Sequence, residues 1–261
     1  SQMKMFGSAL LAAVLLTSVA GSLHAADRVV VVGGTSKTGI AAIRLAQEAG
    51  YDVVGTTRSL QRAQERYGSD INWAVVDIKD PATVKAAFDG ADYIISSIGS
   101  LEPTGDNRPE NVDYKGVVNM VDAAIAQNVK RFVLISSAGA GGDVRNRLNF
   151  IFSNILVWKW LGEDYLRDGA TESTVIRPGG LSDEPGGVMG IDLVQMDVGA
   201  NRPRTSRADV AAISVHCLSS PDCKNKTFEM YGDVGRPVDG WKDVLKSLKE
   251  DDVTFEAMPQ R

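Results

Sequence analysis

A run of four valines followed by closely spaced glycines constrains this chain more than any other stretch. Val29–Val32 are long enough for a strand buried on both faces, and Gly33–Gly34 follow at once. Gly39 then opens the apolar-periodic segment 40–49. Strand, glycine-rich turn and helix bring backbone N–H groups and a helix N-terminus against a phosphate group. The stretch predicts a dinucleotide-binding loop, with a plain strand–helix turn as the alternative; the middle glycine of the commoner pattern is Ser36 here.

The first 26 residues form an apolar N-terminal segment. Residues 1–26 contain one lysine, an apolar stretch over 6–19 and small residues at the end. This order is typical of a secretory signal peptide, and the apolar stretch is shorter than the roughly 20 residues that a membrane-spanning helix needs. We therefore predict a signal peptide, with an uncleaved membrane anchor or an ordered helix packed on a partner as alternatives. The protein would then be exported or anchored (periplasm, secretory route or organelle) rather than cytoplasmic, with this segment as its only contact with a membrane.

The remainder of the chain, 27–261, alternates between strand-like and helix-like patterns. After the first strand, strands are predicted at 52–58, 71–77, 91–97, 130–136, 173–177, 191–196 and 227–230, and helices at 111–127, 149–167, 208–218 and 241–248. Short loops between such elements imply right-handed βαβ units. The pattern predicts a single α/β domain: a Rossmann-type doubly wound parallel sheet flanked by helices, with a small C-terminal substrate-side region.

Charge and residue types argue against two classes of function. The formal net charge is −5 and no basic run occurs, so the sequence indicates no nucleic-acid surface. With two histidines and two cysteines in the chain, we predict no metal site. Cys217 and Cys223 are close enough in sequence to form a small-loop disulfide if the protein is exported; otherwise they are two thiols.

The end of the second predicted strand discriminates between the two nicotinamide cofactors. NAD-preferring proteins of this fold place an acidic residue there, on the ribose 2′-hydroxyl. Here the strand ends in two threonines and Arg58, and an arginine pairs with a 2′-phosphate that a carboxylate would repel. We therefore predict NADP, with Arg58 as the 2′-phosphate ligand. Ser59, Arg62 and Lys37 lie near enough to support it, and a solvated arginine at a helix start is the alternative.

Several longer stretches occur in a recognisable order after residue 27. They are Gly33–Gly39, Asn111–Ala124, Val129–Ser137, Trp158–Arg167, Val175–Leu181 and Arg207–Ala211. As a set they resemble the atypical, NmrA-like branch of the short-chain dehydrogenase/reductase superfamily. The resemblance implies a Rossmann fold and an NAD(P) cofactor, and it says much less about a reaction.

In the familiar dehydrogenases of this superfamily, a Tyr-x-x-x-Lys pair and a serine carry out the chemistry. The tyrosine transfers the hydroxyl proton, the lysine lowers the tyrosine pKa and holds the nicotinamide ribose, and the serine orients the substrate oxygen. The resemblance assigns the serine position to Ser136 and the lysine position to Lys159, the two predicted catalytic residues. Four residues before Lys159 stands Ile155, and no Tyr-x-x-x-Lys occurs anywhere in the sequence. Because isoleucine cannot transfer a proton, the usual general acid is absent.

The predicted cofactor-binding residues follow the strands of the sheet. They are Gly33, Thr35, Ser36, Lys37, Thr38, Gly39, Arg58, Ser59, Asp77, Ile78, Ser97, Ile98, Gly99, Ser136, Lys159, Pro178, Gly179, Gly180 and Leu181. Asp77 is predicted to bond the adenine amino group or, alternatively, to cap the following turn. The resemblance places 97–99 beneath the adenosine ribose and 178–181 over the nicotinamide amide.

Two functions agree with these observations. The first is an NADP(H)-dependent oxidoreductase for a small carbonyl, alkene or quinone-like substrate, which the serine, lysine and 178–181 loop favour. The second is a non-catalytic NADP(H)-sensing or assembly module with a protein partner, which the missing tyrosine favours. An exported fold that binds no nucleotide is a third interpretation.

Overall fold

The computed structural model describes residues 25–143, 145–195 and 202–252. The strands are β1 (Arg28–Val32), β2 (Asp52–Thr57), β3 (Asn72–Val75), β4 (Tyr93–Ser96), β5 (Arg131–Ile135), β6 (Ser173–Pro178), β7 (Leu181–Ser182), β8 (Gly190–Val194), β9 (Thr205–Ser206) and β10 (Lys226–Asp233). The helices are α1 (Lys37–Glu48), α2 (Leu60–Tyr67), α3 (Pro81–Ala87), α4 (Gly116–Ala126), α5 (Arg147–Ile151), α6 (Ile155–Asp168), α7 (Arg207–His216) and α8 (Trp241–Ser247). The predicted N-terminal segment lies outside the described residues except for its last two, and so remains a prediction. Among the helices described, none is both long and apolar enough to cross a membrane.

The predicted doubly wound sheet is confirmed. Eight strands lie in the order β3-β2-β1-β4-β5-β6-β10-β8, and only β8 pairs antiparallel to its neighbour within this sheet. The strand order reverses between β1 and β4, the switch point where open α/β sheets bind ligands beyond the carboxyl ends of their strands. Two further strands, β7 and β9, follow β6 along the chain and pair with each other in a separate small sheet.

The valine run forms a strand buried on both faces. Val29 and Val31 pack into one apolar layer, together with residues of α1, α7 and α8. Val30 and Val32 pack into the other layer, with residues of α3, α4 and α6. All four valines are at most 1% exposed, which explains why the sequence shows a continuous apolar run instead of alternation.

Two predicted helices are not continuous. The helix predicted at 111–127 starts as a π-helical turn, Glu110–Lys115, which leads directly into α4. The helix predicted at 149–167 is divided into α5 and α6 by Ser153 and Asn154, whose φ angles of 48° and 62° are left-handed. The side-chain oxygen of Asn149 accepts a hydrogen bond from the Leu156 amide (2.7 Å), which stabilises the break. Apolar periodicity alone did not reveal either interruption.

The disulfide allowed by the cysteine spacing is present. Cys217 and Cys223 are bonded, with their Cα atoms 5.3 Å apart. The loop between them is fastened to the amino ends of β5 and β6. Arg131 donates to the Cys217 carbonyl (3.0 Å), and the Thr174 hydroxyl donates to the Cys223 carbonyl (2.7 Å). The disulfide therefore lies at the sheet edge opposite the carboxyl ends of the parallel strands.

Candidate functional site

The turn after β1 leaves no room for side chains at two of its glycines. Gly33 has a φ of +75°, and a Cβ on it would lie 2.9 Å from the carbonyl oxygen of Ser97. A Cβ on Gly39 would lie 2.1 Å from the carbonyl oxygen of Gly33, which is closer than any real contact. Helix α1 is thus packed against the strand–turn backbone, as the spacing predicted. Its N-terminus opens at the carboxyl end of β1.

Ser36 explains the departure from the commoner glycine pattern. It is the N-cap of α1, and its hydroxyl oxygen accepts a hydrogen bond from the Gly39 amide (2.9 Å). The same hydroxyl is hydrogen-bonded to the Ser97 hydroxyl (2.7 Å), at the end of β4. The serine therefore fixes the turn to the neighbouring strand. The other N–H groups of the first helical turn have no partner inside the helix, which makes them donors for an anion.

A cleft of about 390 Å³ extends from this turn along the carboxyl ends of β1 to β4. Nine of the predicted cofactor residues line it: Gly33, Thr35, Ser36, Arg58, Asp77, Ile78, Ser97, Ile98 and Gly99. Thr38 and Gly39 lie in the buried start of α1, Ser59 is the N-cap of α2, and Lys37 pairs with another side chain. The structure thus brings together the residues predicted for the adenosine half of a dinucleotide.

Arg58 follows β2 directly and lines the cleft. Neither of its neighbours is acidic, and Arg58 forms no ion pair within the described parts of the chain. Lys37 differs, because its ammonium is paired with Asp183, which also accepts from Arg207 (2.6 Å). The hydrogen bond from Lys37 holds the pKa of Asp183 below its usual range. Arg58 is therefore the better-placed cation for a 2′-phosphate.

Asp77 fulfils the alternative that the sequence left open. One of its carboxylate oxygens accepts a hydrogen bond from the Lys79 amide (3.0 Å), so the side chain caps the turn after β3. It still lines the cleft. A role in binding adenine remains a prediction.

The far wall of the cleft consists of residues that sequence reasoning missed. Lys79 donates to the Asn107 side-chain oxygen (2.9 Å), and the Asn107 amide donates to Glu102 (3.2 Å). Ser100 and Leu101 complete this wall. In the sequence, 99–109 is only a polar loop, without spacing or periodicity that would place it over the cleft.

Ser136 lies just beyond β5 and is bonded to a buried carboxylate. Its hydroxyl donates to Glu163 of α6, which is completely buried. Arg177 of β6 donates from Nε to both Glu163 oxygens (3.1 Å each). A guanidinium nitrogen of Arg167 lies 3.2 Å from Glu163 Oε2. Burial alone would raise the pKa of Glu163, but the charges of Arg177 and Arg167 outweigh it and lower that pKa. The Ser136 hydroxyl therefore donates a hydrogen bond to an ionised carboxylate, and Ser136 itself does not border the described cleft.

Lys159 is also paired with a buried carboxylate. Its ammonium lies 2.8 Å from Asp113 Oδ1 in the π-helical turn, and 3.5 Å from the carbonyl oxygen of Ile98. A Cβ on Gly99 would lie 3.4 Å from the Lys159 nitrogen. Because Ile98 and Gly99 line the cleft, Lys159 stands at its border. Sequence reasoning missed Asp113. The signal that could have revealed it is a charged residue at a buried position of an amphipathic helix.

The remaining predicted residues lie at the end of β6. Pro178 is the last residue of that strand, and its carbonyl accepts from the Ala138 amide (2.9 Å). Gly179 packs against the ring of Tyr231, so that a Cβ there would lie 2.6 Å from a ring carbon. Gly180 lies beside Arg204, and Leu181 begins β7. None of these four borders the described cleft, and their role over the nicotinamide remains a prediction.

Comparison with known proteins identifies the class of this chain. The family described as NAD(P)H-binding matches residues 33–221, and the chain belongs to it. It is 30% identical to sanguinarine reductase of Eschscholzia californica over 85% of this chain and 93% of that protein. It is 25% identical to NAD(P)H azoreductase of Xenophilus azovorans, over 78% of this chain and 68% of that protein.

Solved structures share the fold. A protein described as a putative NAD-dependent epimerase/dehydratase, from Bacillus halodurans, superposes with a TM-score of 0.74 at 24% identity, covering 85% of this chain and all of that one. The anaerobilin reductase ChuY of Escherichia coli O157:H7 superposes with a TM-score of 0.67 at 23% identity, covering 80% and 99% of the two chains. These superpositions show the fold. NAD(P)H binding and a reductase-like family rest on the family match and the two relatives, and they agree with the resemblance to atypical short-chain dehydrogenases/reductases.

Proposed function

We propose that this protein is an NADPH-dependent oxidoreductase that reduces a small carbonyl, alkene or quinone-like acceptor. The observation that carries the proposal is the adenosine cleft, in which Arg58 follows β2 where NAD-preferring members of the fold place a carboxylate. The Arg58 guanidinium, which has no ion pair among the described residues, is suited to a 2′-phosphate. The reductase names of the relatives support the general reaction class.

The described residues fit a nicotinamide dinucleotide. The glycines at 33 and 39 form a cradle that a Cβ would fill, beside the N-terminus of α1. Arg58 would bind the 2′-phosphate, and Lys159, at the border of the cleft, would bind the nicotinamide-side ribose. When bound, the nicotinamide supplies a hydride to the acceptor. The protein's part is to bind, orient and shield the reacting groups.

The proton must come from elsewhere than in the familiar dehydrogenases. Ile155 stands at the tyrosine position, and the Ser136 hydroxyl donates to Glu163. The hydroxyl hydrogen of Ser136 is thus engaged by Glu163, so Ser136 is poorly suited to act as the general acid. This arrangement favours acceptors that form a delocalised anion after hydride addition, because water can protonate such an anion without a positioned acid. Quinones and conjugated alkenes meet this requirement better than isolated carbonyls.

A non-catalytic NADP(H)-sensing or assembly module is the second candidate. The internal partners of the two predicted catalytic residues favour it: the Ser136 hydroxyl donates to Glu163, and Lys159 is paired with Asp113. Both candidates bind NADP(H), but only the oxidoreductase would oxidise NADPH in the presence of an acceptor.

Steady-state oxidation of NADPH with a panel of quinones, conjugated alkenes and simple carbonyls distinguishes the candidates. We expect turnover with quinones or conjugated alkenes that exceeds turnover with isolated carbonyls. Gly39→Ala, whose methyl would meet the Gly33 carbonyl, should abolish it; Gly141→Ala, where the nearest atom is 3.9 Å away, is the matched control. Saturable NADPH binding without oxidation of any acceptor would contradict the enzyme and support the sensing module.

We also propose that the protein resides in an exported compartment or an organelle. The Cys217–Cys223 disulfide supports this, because disulfides persist in oxidising compartments. The apolar segment 1–26 supports it from the sequence. A related protein of Arabidopsis thaliana, 32% identical over 77% of this chain, is described as chloroplastic.

A further inference from the structure

A buried carboxylate lies directly behind the border of the cofactor cleft. The Asp113 side chain is fully buried, and the Lys159 side chain is 13% exposed. Burying a charge is costly unless it is paired and hydrogen-bonded. Asp113 meets that requirement through two contacts, the Lys159 ammonium at 2.8 Å and the Ser100 amide at 3.0 Å. Both contacts belong to groups at the edge of the cleft.

The local backbone is arranged to bring this carboxylate into place. Asp113 lies in the π-helical turn Glu110–Lys115. Such turns are rare in proteins, and those that occur are often found at functional sites. Helix α6 approaches the turn closely at Gly162, where a Cβ would lie 2.6 Å from the Asp113 carbonyl oxygen. The approach sets the Lys159 side chain, less than one helical turn earlier, against the Asp113 carboxylate.

From these contacts we propose that Asp113 is the positioning residue for Lys159. The Lys159 ammonium is ion-paired with Asp113 and donates to the Ile98 carbonyl; because an ammonium has three hydrogens, at least one remains for a ligand in the cleft. The pair holds the ammonium at the border of the cleft, where it would bind the nicotinamide-side ribose of NADP(H). This inference depends on the proposed cofactor binding and adds to it a residue that acts only through Lys159.

The test compares two probes, NADPH and adenosine 2′,5′-bisphosphate, which contains the adenosine half without the nicotinamide ribose. Asp113→Asn keeps an oxygen that can accept from the Ser100 amide but removes the charge. We expect it to raise the Kd for NADPH about tenfold or more, as for loss of a hydrogen bond involving a charged group, and to leave the Kd for the bisphosphate unchanged. Equal weakening of both probes, or of neither, would overturn the proposal. Failure of the wild-type protein to bind either probe would instead refute the proposed function.

A double-mutant cycle separates positioning from a structural role. In a Lys159→Met background, Asp113→Asn should cause no further loss of NADPH affinity, and Lys159→Met alone should show the same selective loss. A further loss in the double variant, or wild-type affinity in Lys159→Met, would overturn the proposal. The double variant has no uncompensated buried charge, so it keeps the test available if Asp113→Asn does not fold. Asp89→Asn, at an exposed position, is the matched control.

Discussion

The two halves of the proposed cofactor site differ in how their side chains are engaged. In the adenosine half, Arg58 lines the cleft and has no ion pair within the described residues. In the nicotinamide half, Ser136 is bonded to Glu163 and Lys159 to Asp113, both of which are buried. Arg58 is therefore available to a ligand, whereas the two side chains of the nicotinamide half are also part of the packed interior.

The difference has a consequence for substitutions. Replacing Arg58 in the adenosine half should reduce cofactor affinity and leave the stability of the cofactor-free protein nearly unchanged. Changes in the nicotinamide half should alter both. Substitutions in each half, and one remote from both, can therefore test this distinction.

The largest effect is expected at Glu163. Glu163→Gln leaves Arg177 and Arg167 without their buried carboxylate, and breaking a buried pair in this way costs about 3–5 kcal/mol. Because the pKa of Glu163 is lowered in the folded protein, its contribution is present above the ordinary value of 4.5 and is lost as the pH falls through the lowered pKa. Urea unfolding at neutral and acidic pH measures both effects.

The matched control is Glu65→Gln on the exposed face of α2. A surface change of this kind should shift the free energy of unfolding by less than about 0.5 kcal/mol. If Glu163→Gln were as mild as the control, or kept the acid sensitivity of the wild-type protein, the nicotinamide half would not be the structural half.

The same contrast explains how much could be predicted from the sequence. The valine run and the glycine spacing are local patterns that predicted the fold, and the place of Arg58 at the end of a strand predicted a side chain that lines the cleft. The buried carboxylates lie far along the chain from the side chains that they bind; Glu163 is 27 residues from Ser136. No periodicity or spacing links such residues, so their pairing emerges only from the packing of α6 against β5, β6 and the π-helical turn.

The disulfide provides a test at the opposite edge of the sheet. Replacing both Cys217 and Cys223 by serine should destabilise the protein by about 2 kcal/mol, as for a short closed loop. For a domain of this size the melting temperature should then fall by about 4–8 °C. The Kd for NADPH should stay within about twofold, because the cleft lies at the carboxyl ends of the strands.

Calorimetry and titration of the double serine variant with NADPH provide these two values. Weakened NADPH binding in the folded variant would show that the two edges are coupled. The separation between a binding edge and a structural edge would then be wrong.

The central claim is that Arg58 selects a 2′-phosphorylated cofactor in a cleft arranged for the adenosine half. The most direct measurement is the Kd of NADPH and of NADH for the wild-type protein and for Arg58→Ala, with Arg66→Ala on the following helix, α2, as the control. We predict that the wild-type protein prefers NADPH by about ten- to hundredfold, the value of a charge-assisted hydrogen-bond pair, and that Arg58→Ala removes this preference without weakening NADH. Equal affinity of the wild-type protein for both cofactors, or a preference that survives in Arg58→Ala, would contradict the claim.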